Sequence, residues 1–144
     1  MLLNNISQTE AITKCNEMYN GHKSGIKSKL VNGYAWDTAL KFINAVEGKN
    51  VDTDSSAWGN YNSSLANTGA ISNAVACNIY DMAGNLYEWT TEKYNSPIDI
   101  NYPFTVIIGG NYNGDGVGGP AGYRNYRNPT STSNYIGFRS LLFK

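Results

Sequence analysis

The sequence predicts a single α+β domain of two helices, short antiparallel strands and much irregular loop. Three observations carry this. At 144 residues the chain can bury one hydrophobic core and is too short for two. Only residues 7–18 and 33–50 sustain a helical period of apolar side chains. Twenty asparagines and fifteen glycines, which tolerate left-handed backbone angles, fill much of the rest between short β-branched runs. The domain is taken as residues 1–144, since no linker divides the chain and no repeat recurs.

In chain order, SQTEAITKCNEM places Ala11, Ile12, Cys15 and Met18 at helical spacing, and Ser7 stands three residues before Glu10 as in a capping box. The loop NGHKSGIKSK follows, and its His22 sits between Gly21 and Lys23 as a solvated side chain. GYAWDTALKFINAVEGKN is the clearest helix, with Trp36, Ala39, Leu40, Ile43 and Val46 on one face and Gly48 as the stop. Residues 51–76, around Trp58, have no sustained period, and so long an irregular segment is usually functional or tied down by specific contacts. TVIIGGNY is a strand ending at a double glycine, and IGFRSLLF is a second strand candidate. Trp36, Ile79, Trp89 and Phe138 are expected to be buried together. Between the strands, residues 113–134 are turn chemistry throughout, and YRNYR alternates as a half-exposed strand would.

Eleven basic and eleven acidic residues balance, so no positive field exists to gather phosphates and nucleic acid is excluded as a general partner. The longest apolar runs, YAW, FINAV and FTVII, fall far short of the roughly 20 residues that cross a bilayer, so no membrane insertion is expected. The first residues lack the basic and long apolar regions of a secretory signal. Cys15 and Cys77 form no CxxC pair and read as buried free thiols. GGNYNGDGVGG lacks the Gly-Lys-Ser/Thr ending of a phosphate loop. Asn111, Asn113, Asp115 and Gly116 match the start of a calcium-hand loop, but its twelfth position is Gly122 where a bidentate Glu is needed, so the match is read as chance. With one histidine and no GxSxG elbow, no catalytic residue is nominated.

One stretch is more specific. IYDMAGNLYEW, residues 79–89, resembles the Tyr-Asp-Met-x-Gly-Asn-Val-Trp-Glu-Trp signature of the formylglycine-generating enzyme and sulfatase-modifying-factor superfamily, a variant of the C-type lectin fold. IIGGNY resembles that family's Arg-Gly-Gly-Ser-Trp step, and YRNYRNPTSTSNYIGFR its closing segment ending in Gly-Phe-Arg. SQTEAITKC and LVNGYAWDTALKFI are similar to its first two helices, so the resemblance covers nearly the whole chain. The family's N-terminal strand region has no counterpart, which implies the C-terminal part of a longer protein.

The resemblance also frames function. Oxidase members carry a copper-binding cysteine pair before Gly-Phe-Arg, whereas residues 109–139 contain no cysteine, and the histidine cluster of the iron-dependent sulfoxide synthases cannot be built from His22 alone. A non-enzyme is therefore expected. The superfamily also includes the variable ligand-binding proteins of diversity-generating retroelements, which implies a recognition domain displaying a Tyr/Asn/Ser-rich surface over residues 111–135. The candidate ligand-binding residues are Asn111, Tyr112, Asn113, Asp115, Tyr123, Asn125, Tyr126, Asn128, Ser133, Asn134 and Tyr135, and the partner is a protein or a glycan. The implied location is a phage particle or an extracellular bacterial surface. The alternatives are a metal-dependent modifying enzyme of the formylglycine-generating type, or a structural module of a surface or virion protein. No cofactor is required on this reading, although the family's calcium ligands correspond to Asp81, Gly84, Leu86 and Glu88. The competing reading has Asp81 capping a turn and Glu88 pairing with an arginine.

Overall fold

The computed structural model describes residues 3–20, 25–95 and 103–144, and His22 lies outside them. Helix α1 spans Gln8–Tyr19. Its start is the expected capping box: the Ser7 hydroxyl accepts from the Glu10 amide at 3.3 Å, and the Glu10 carboxylate accepts from the Ser7 amide at 2.9 Å. Helix α2 spans Gly33–Glu47, where the Asn32 side chain accepts from the Ala35 amide at 2.8 Å. Gly48, at φ 64°, closes it in a left-handed turn that glycine takes without strain. Trp36, Leu40 and Ile43 form its buried stripe. Val46, assigned to that face by spacing, is exposed, because 3.6 residues per turn place it roughly 80° off the Trp36 line.

Among the described residues the main sheet has four strands: β4 (Tyr87–Tyr94), β5 (Phe104–Ile108), β6 (Arg124–Arg127) and β7 (Ile136–Phe138), in the order β6-β5-β4-β7. The first three pair antiparallel, and β7 lies parallel to β4. Two small antiparallel ladders complete the fold, β1 (Lys27–Leu30) with β8 (Ser140–Phe143) and β2 (Val75–Ala76) with β3 (Ile79–Tyr80). The single strand expected over residues 136–143 is thus two strands in different sheets, broken at Arg139.

Successive strand residues point to opposite faces, so Ile107 and Ile108, both fully buried, enter different cores. Ile107 joins Trp89, Ile136, Leu30, Ala11 and Cys15 under α1. Ile108 joins Trp36, Leu40, Ile43, Trp58 and Met82 under α2. This corrects the expected single cluster: Trp36 with Ile79 packs on one side of the sheet, Trp89 with Phe138 on the other, and Ile79 and Phe138 are only partly buried. The long irregular segment is tied down as its length suggested. Trp58 and Asn60 are buried, the Ser55 hydroxyl accepts from the Ala121 amide at 3.0 Å, and Asn60 bridges Gly84. Gly84 has φ 70°, and a Cβ there would stand 2.2 Å from the Asn60 carbonyl oxygen, so only glycine fits.

Candidate ligand-recognition face

The signature residues build a rigid floor. Arg139 binds both Glu88 oxygens, Nη2 to Oε1 at 2.7 Å and Nε to Oε2, and donates from Nη2 to the Tyr80 and Asp81 carbonyls at 3.1 and 3.0 Å. Its guanidinium also lies 5.0 Å from the centre of the Trp36 ring. Asp81 Oδ2 accepts from the Gly69 amide at 2.9 Å, while its Oδ1 is buried without a partner. Burial pushes the Asp81 carboxyl up; it pushes Glu88 up as well, against the pull of Arg139.

This arrangement bears on calcium, which takes six to eight oxygen ligands. Glu88 already faces a cation that engages both its oxygens, and a divalent ion beside it would meet the Arg139 charge. Gly84 and Leu86, both buried, could offer a cation only their main-chain carbonyls. Among the described residues no three His, Cys, Asp or Glu side chains group as metal ligands. Of Asp81, Gly84, Leu86 and Glu88, Glu88 is committed to Arg139, so the calcium reading requires Glu88 to leave that pair.

Above this floor the C-terminal third forms a face. The register sets Tyr87 opposite Ile136, Ile107 opposite Asn125 and Thr105 opposite Arg127, so Asn125 and Arg127 share the sheet face of Tyr87. Over Ile107 and Ile136 lies a depression of about 180 Å³. Tyr87, Tyr135, Asn111, Asn113, Ser133 and Arg127 wall it. Tyr112 approaches Tyr135 with ring centres 5.2 Å apart, and Tyr123 approaches Tyr87 at 6.3 Å. Burial raises the Tyr87 hydroxyl above its ordinary value, so it stays protonated at neutral pH.

The backbone of this face is held by other backbone. Tyr112 N–H donates to the Asn85 carbonyl and Tyr87 N–H to the Tyr135 carbonyl, both at 2.9 Å. Asn5 N–H donates to the Ser133 carbonyl at 3.0 Å and Gln8 N–H to the Pro129 carbonyl at 2.9 Å. Local side-chain bonds shape the turns: Asp115 Oδ1 accepts from the Val117 and Gly118 amides at 2.9 and 2.6 Å, and Asn128 Oδ1 from the Thr130 amide at 3.0 Å.

Of the sequence-nominated residues, Asn111, Tyr112, Asn113, Tyr123, Asn125, Ser133 and Tyr135 therefore come together. Asn134 is exposed, with its carbonyl accepting from the Asn4 side chain at 2.8 Å. Asp115 and Asn128 are occupied in turns. Tyr126 parts from the group: on an alternating strand it faces the other way, stacked on Tyr94 at 4.2 Å and edge-on to Phe104 at 5.3 Å. Tyr87 belongs to the face although the signature reads as scaffold, and its alternation with the buried Glu88 was the available signal. Arg124 braces the fold, with Nη2 on Asp37 at 2.9 Å and Nε on Glu92 at 3.1 Å. Neither thiol lines the depression: Cys15 is buried against the Ser140 hydroxyl at 3.1 Å, and Cys77, expected buried, is partly exposed beside Glu47.

A family model described as a sulfatase-modifying factor enzyme 1-like domain matches residues 16–142. No curated protein matches the sequence. Among solved structures, PvdO from Pseudomonas aeruginosa aligns at 18% identity and a TM-score of 0.68, over 95% of this chain and 60% of its own. CarF aligns at 17% identity and 0.71, over 96% of this chain and 66% of its own. Treponema denticola variable protein 1 aligns at 17% identity and 0.71, over 96% of this chain and 69% of its own. The chain spans less than two thirds of PvdO and of CarF, and at these identities the likeness shows a shared fold.

Proposed function

Because the chain belongs to the sulfatase-modifying factor enzyme 1-like family, we propose that it turns this fold to ligand recognition without chemistry, displaying the Tyr/Asn/Ser surface of residues 111–135 to a protein or glycan. One observation carries the reading: tyrosines and amides gather over the depression on a backbone anchored by main-chain bonds, and their side chains bond to near neighbours in the chain, so their rings and remaining polar atoms face outward for a partner. Tyrosine supplies large rigid contact area at low entropic cost, and Asn and Ser adapt their hydrogen bonds around it. The likeness to a protein named as a variable protein supports the view that these positions vary between copies while the fold is kept. On that view the domain works at a phage or bacterial surface.

A modifying-enzyme reading would need a nucleophile or soft metal ligand at the face, and the lining of the depression holds neither cysteine nor histidine. The test is a paired alanine scan of residues 111–135, reading melting temperature and binding to peptide-display and glycan-array hits. Loss of binding at Tyr112, Tyr123 and Tyr135 with unchanged melting is expected. Unfolding on loss of these tyrosines, or turnover of a sulfatase-type cysteine peptide by the purified protein, would end the recognition reading. A reverse transcriptase gene beside a near-copy of the codons for residues 111–135 would establish the diversification.

A further inference from the structure

The chain has three arginines, Arg124, Arg127 and Arg139, and two are neutralised within the protein. Arg124 lies between Asp37 and Glu92, and Arg139 is bound by Glu88. Arg127 has no carboxylate partner among the described residues. Its Nη1 donates to the Asn125 side-chain oxygen at 3.1 Å and to the Tyr126 carbonyl at 2.8 Å. These bonds orient the guanidinium with one nitrogen. Among the described residues nothing else bonds to its Nε–Nη2 edge, which offers two parallel N–H donors in the spacing a carboxylate accepts.

Among the described residues Arg127 is the only charged side chain lining the depression. Asp115, the one carboxylate of residues 111–135, is folded onto its own turn. The charge of Arg127 reaches Tyr87, where it offsets part of the rise that burial causes. An exposed cation with no carboxylate partner among the described residues, pre-oriented at the edge of a neutral depression, is suited to receive an anion.

We propose that the face recognises an acidic side chain, Asp or Glu, of a protein partner, with its carboxylate on the Nε–Nη2 edge of Arg127 and Asn111, Asn113 and Ser133 bonding around it. This rests on the recognition reading and narrows its ligand. A peptide carboxylate suits the mouth better than a sugar acid. The Tyr112 and Tyr135 rings are tilted 39° to one another and frame a slot, where a pyranose would want a flat platform.

The experiment titrates the folded domain with N-acetyl-glutamate amide, with N-acetyl-glutamine amide and with methyl glucuronide, following the Arg127 Nε–H and the Tyr87 and Tyr135 ring signals by NMR. The glutamate probe should give saturable shifts about tenfold tighter than its neutral isostere, the margin of a charge-assisted over a neutral hydrogen bond. Arg127→Gln should abolish this preference, Arg127→Lys should weaken it, and Lys41→Gln on exposed α2 should leave it intact. Unchanged spectra elsewhere establish that each variant is folded. Equal response to the two amides, persistence in Arg127→Gln, no response, or tighter binding of the glucuronide each overturns the proposal. Equal shifts centred on Tyr112 and Tyr135 would discard the acid preference and leave recognition standing. Silence at this face together with a negative alanine scan would remove both.

Discussion

Residues 79–90 and residues 111–135 have similar ingredients, tyrosines, amides and carboxylates beside glycines, and put them to opposite use. In the first, side chains bond inward: Glu88 to Arg139, Asn85 to Asn60 and Ala66, Trp89 Nε1 to the Ile6 carbonyl at 2.8 Å. In the second, Arg124 and Tyr126 reach back to the fold, while the side chains around the depression bond mostly to near neighbours in the chain and main-chain bonds anchor the segment there. Chemistry at a surface is therefore a matter of which groups the scaffold leaves unspent, not of which residue types are present.

Substitution should separate the two regions by energy. Trp89→Ala is expected to cost most, roughly 3–5 kcal/mol, the usual range for a fully buried large aromatic, since it empties the core under α1 and orphans the Ile6 carbonyl. A chemical denaturation midpoint unmoved by it would take Trp89 out of the core. Arg139→Ala should follow at about 3 kcal/mol, the lower end for breaking a buried ion pair because Arg139 is 24% exposed. If Arg139→Ala and Glu88→Gln combined cost no less than the sum of the two, the pair is not coupled.

A third effect is read against pH. The Asp81 carboxyl is raised above 3.8 by burial, so the folded state holds that proton more tightly than the unfolded one. Its contribution to stability thus falls as pH climbs from 3.8 through the raised value. Asp81→Asn should gain on the native protein across that window in urea melts, and parallel curves would show that Asp81 titrates as it does in the unfolded chain. The smallest effects belong to the outer region. Tyr112→Ala and Tyr135→Ala should each shift folding by under about 0.5 kcal/mol, and a larger loss in a thermal melt would make them scaffold. Calcium and chelator should leave the melting temperature unchanged while Arg139 holds Glu88, and a rise with calcium would reveal a site that recruits Glu88 away.

Both helices were legible because their signals are local: Ser7 with Glu10, Asn32, Gly48 and one apolar stripe each. The signature pointed to the family, and the asparagines and tyrosines of residues 111–135 pointed to a face. What escaped was set by distant partners. The break between β7 and β8 lies at Arg139, whose place is fixed by Glu88 far back in the chain. The division of the core follows from Ile107 and Ile108 lying in a central strand, which no local pattern announces. In YRNYR the alternation was visible, but which tyrosine faces the depression depends on pairing with β5, and that left Tyr126 on the wrong side.

The closing ladder carries a further consequence for how the chain reaches this state. β8 pairs with β1 across almost the whole sequence, and β7 lies beside β4 although β5 and β6 come between them in the chain. Contacts this distant make folding slow, because the loop must close before the contact rewards it. A chain still emerging from the ribosome can hold α1 and α2 while lacking the strand that positions Tyr135 and Arg139. The candidate face takes Tyr87 from β4 and Tyr135 from just before β7, so it is complete only when segments distant in sequence have met.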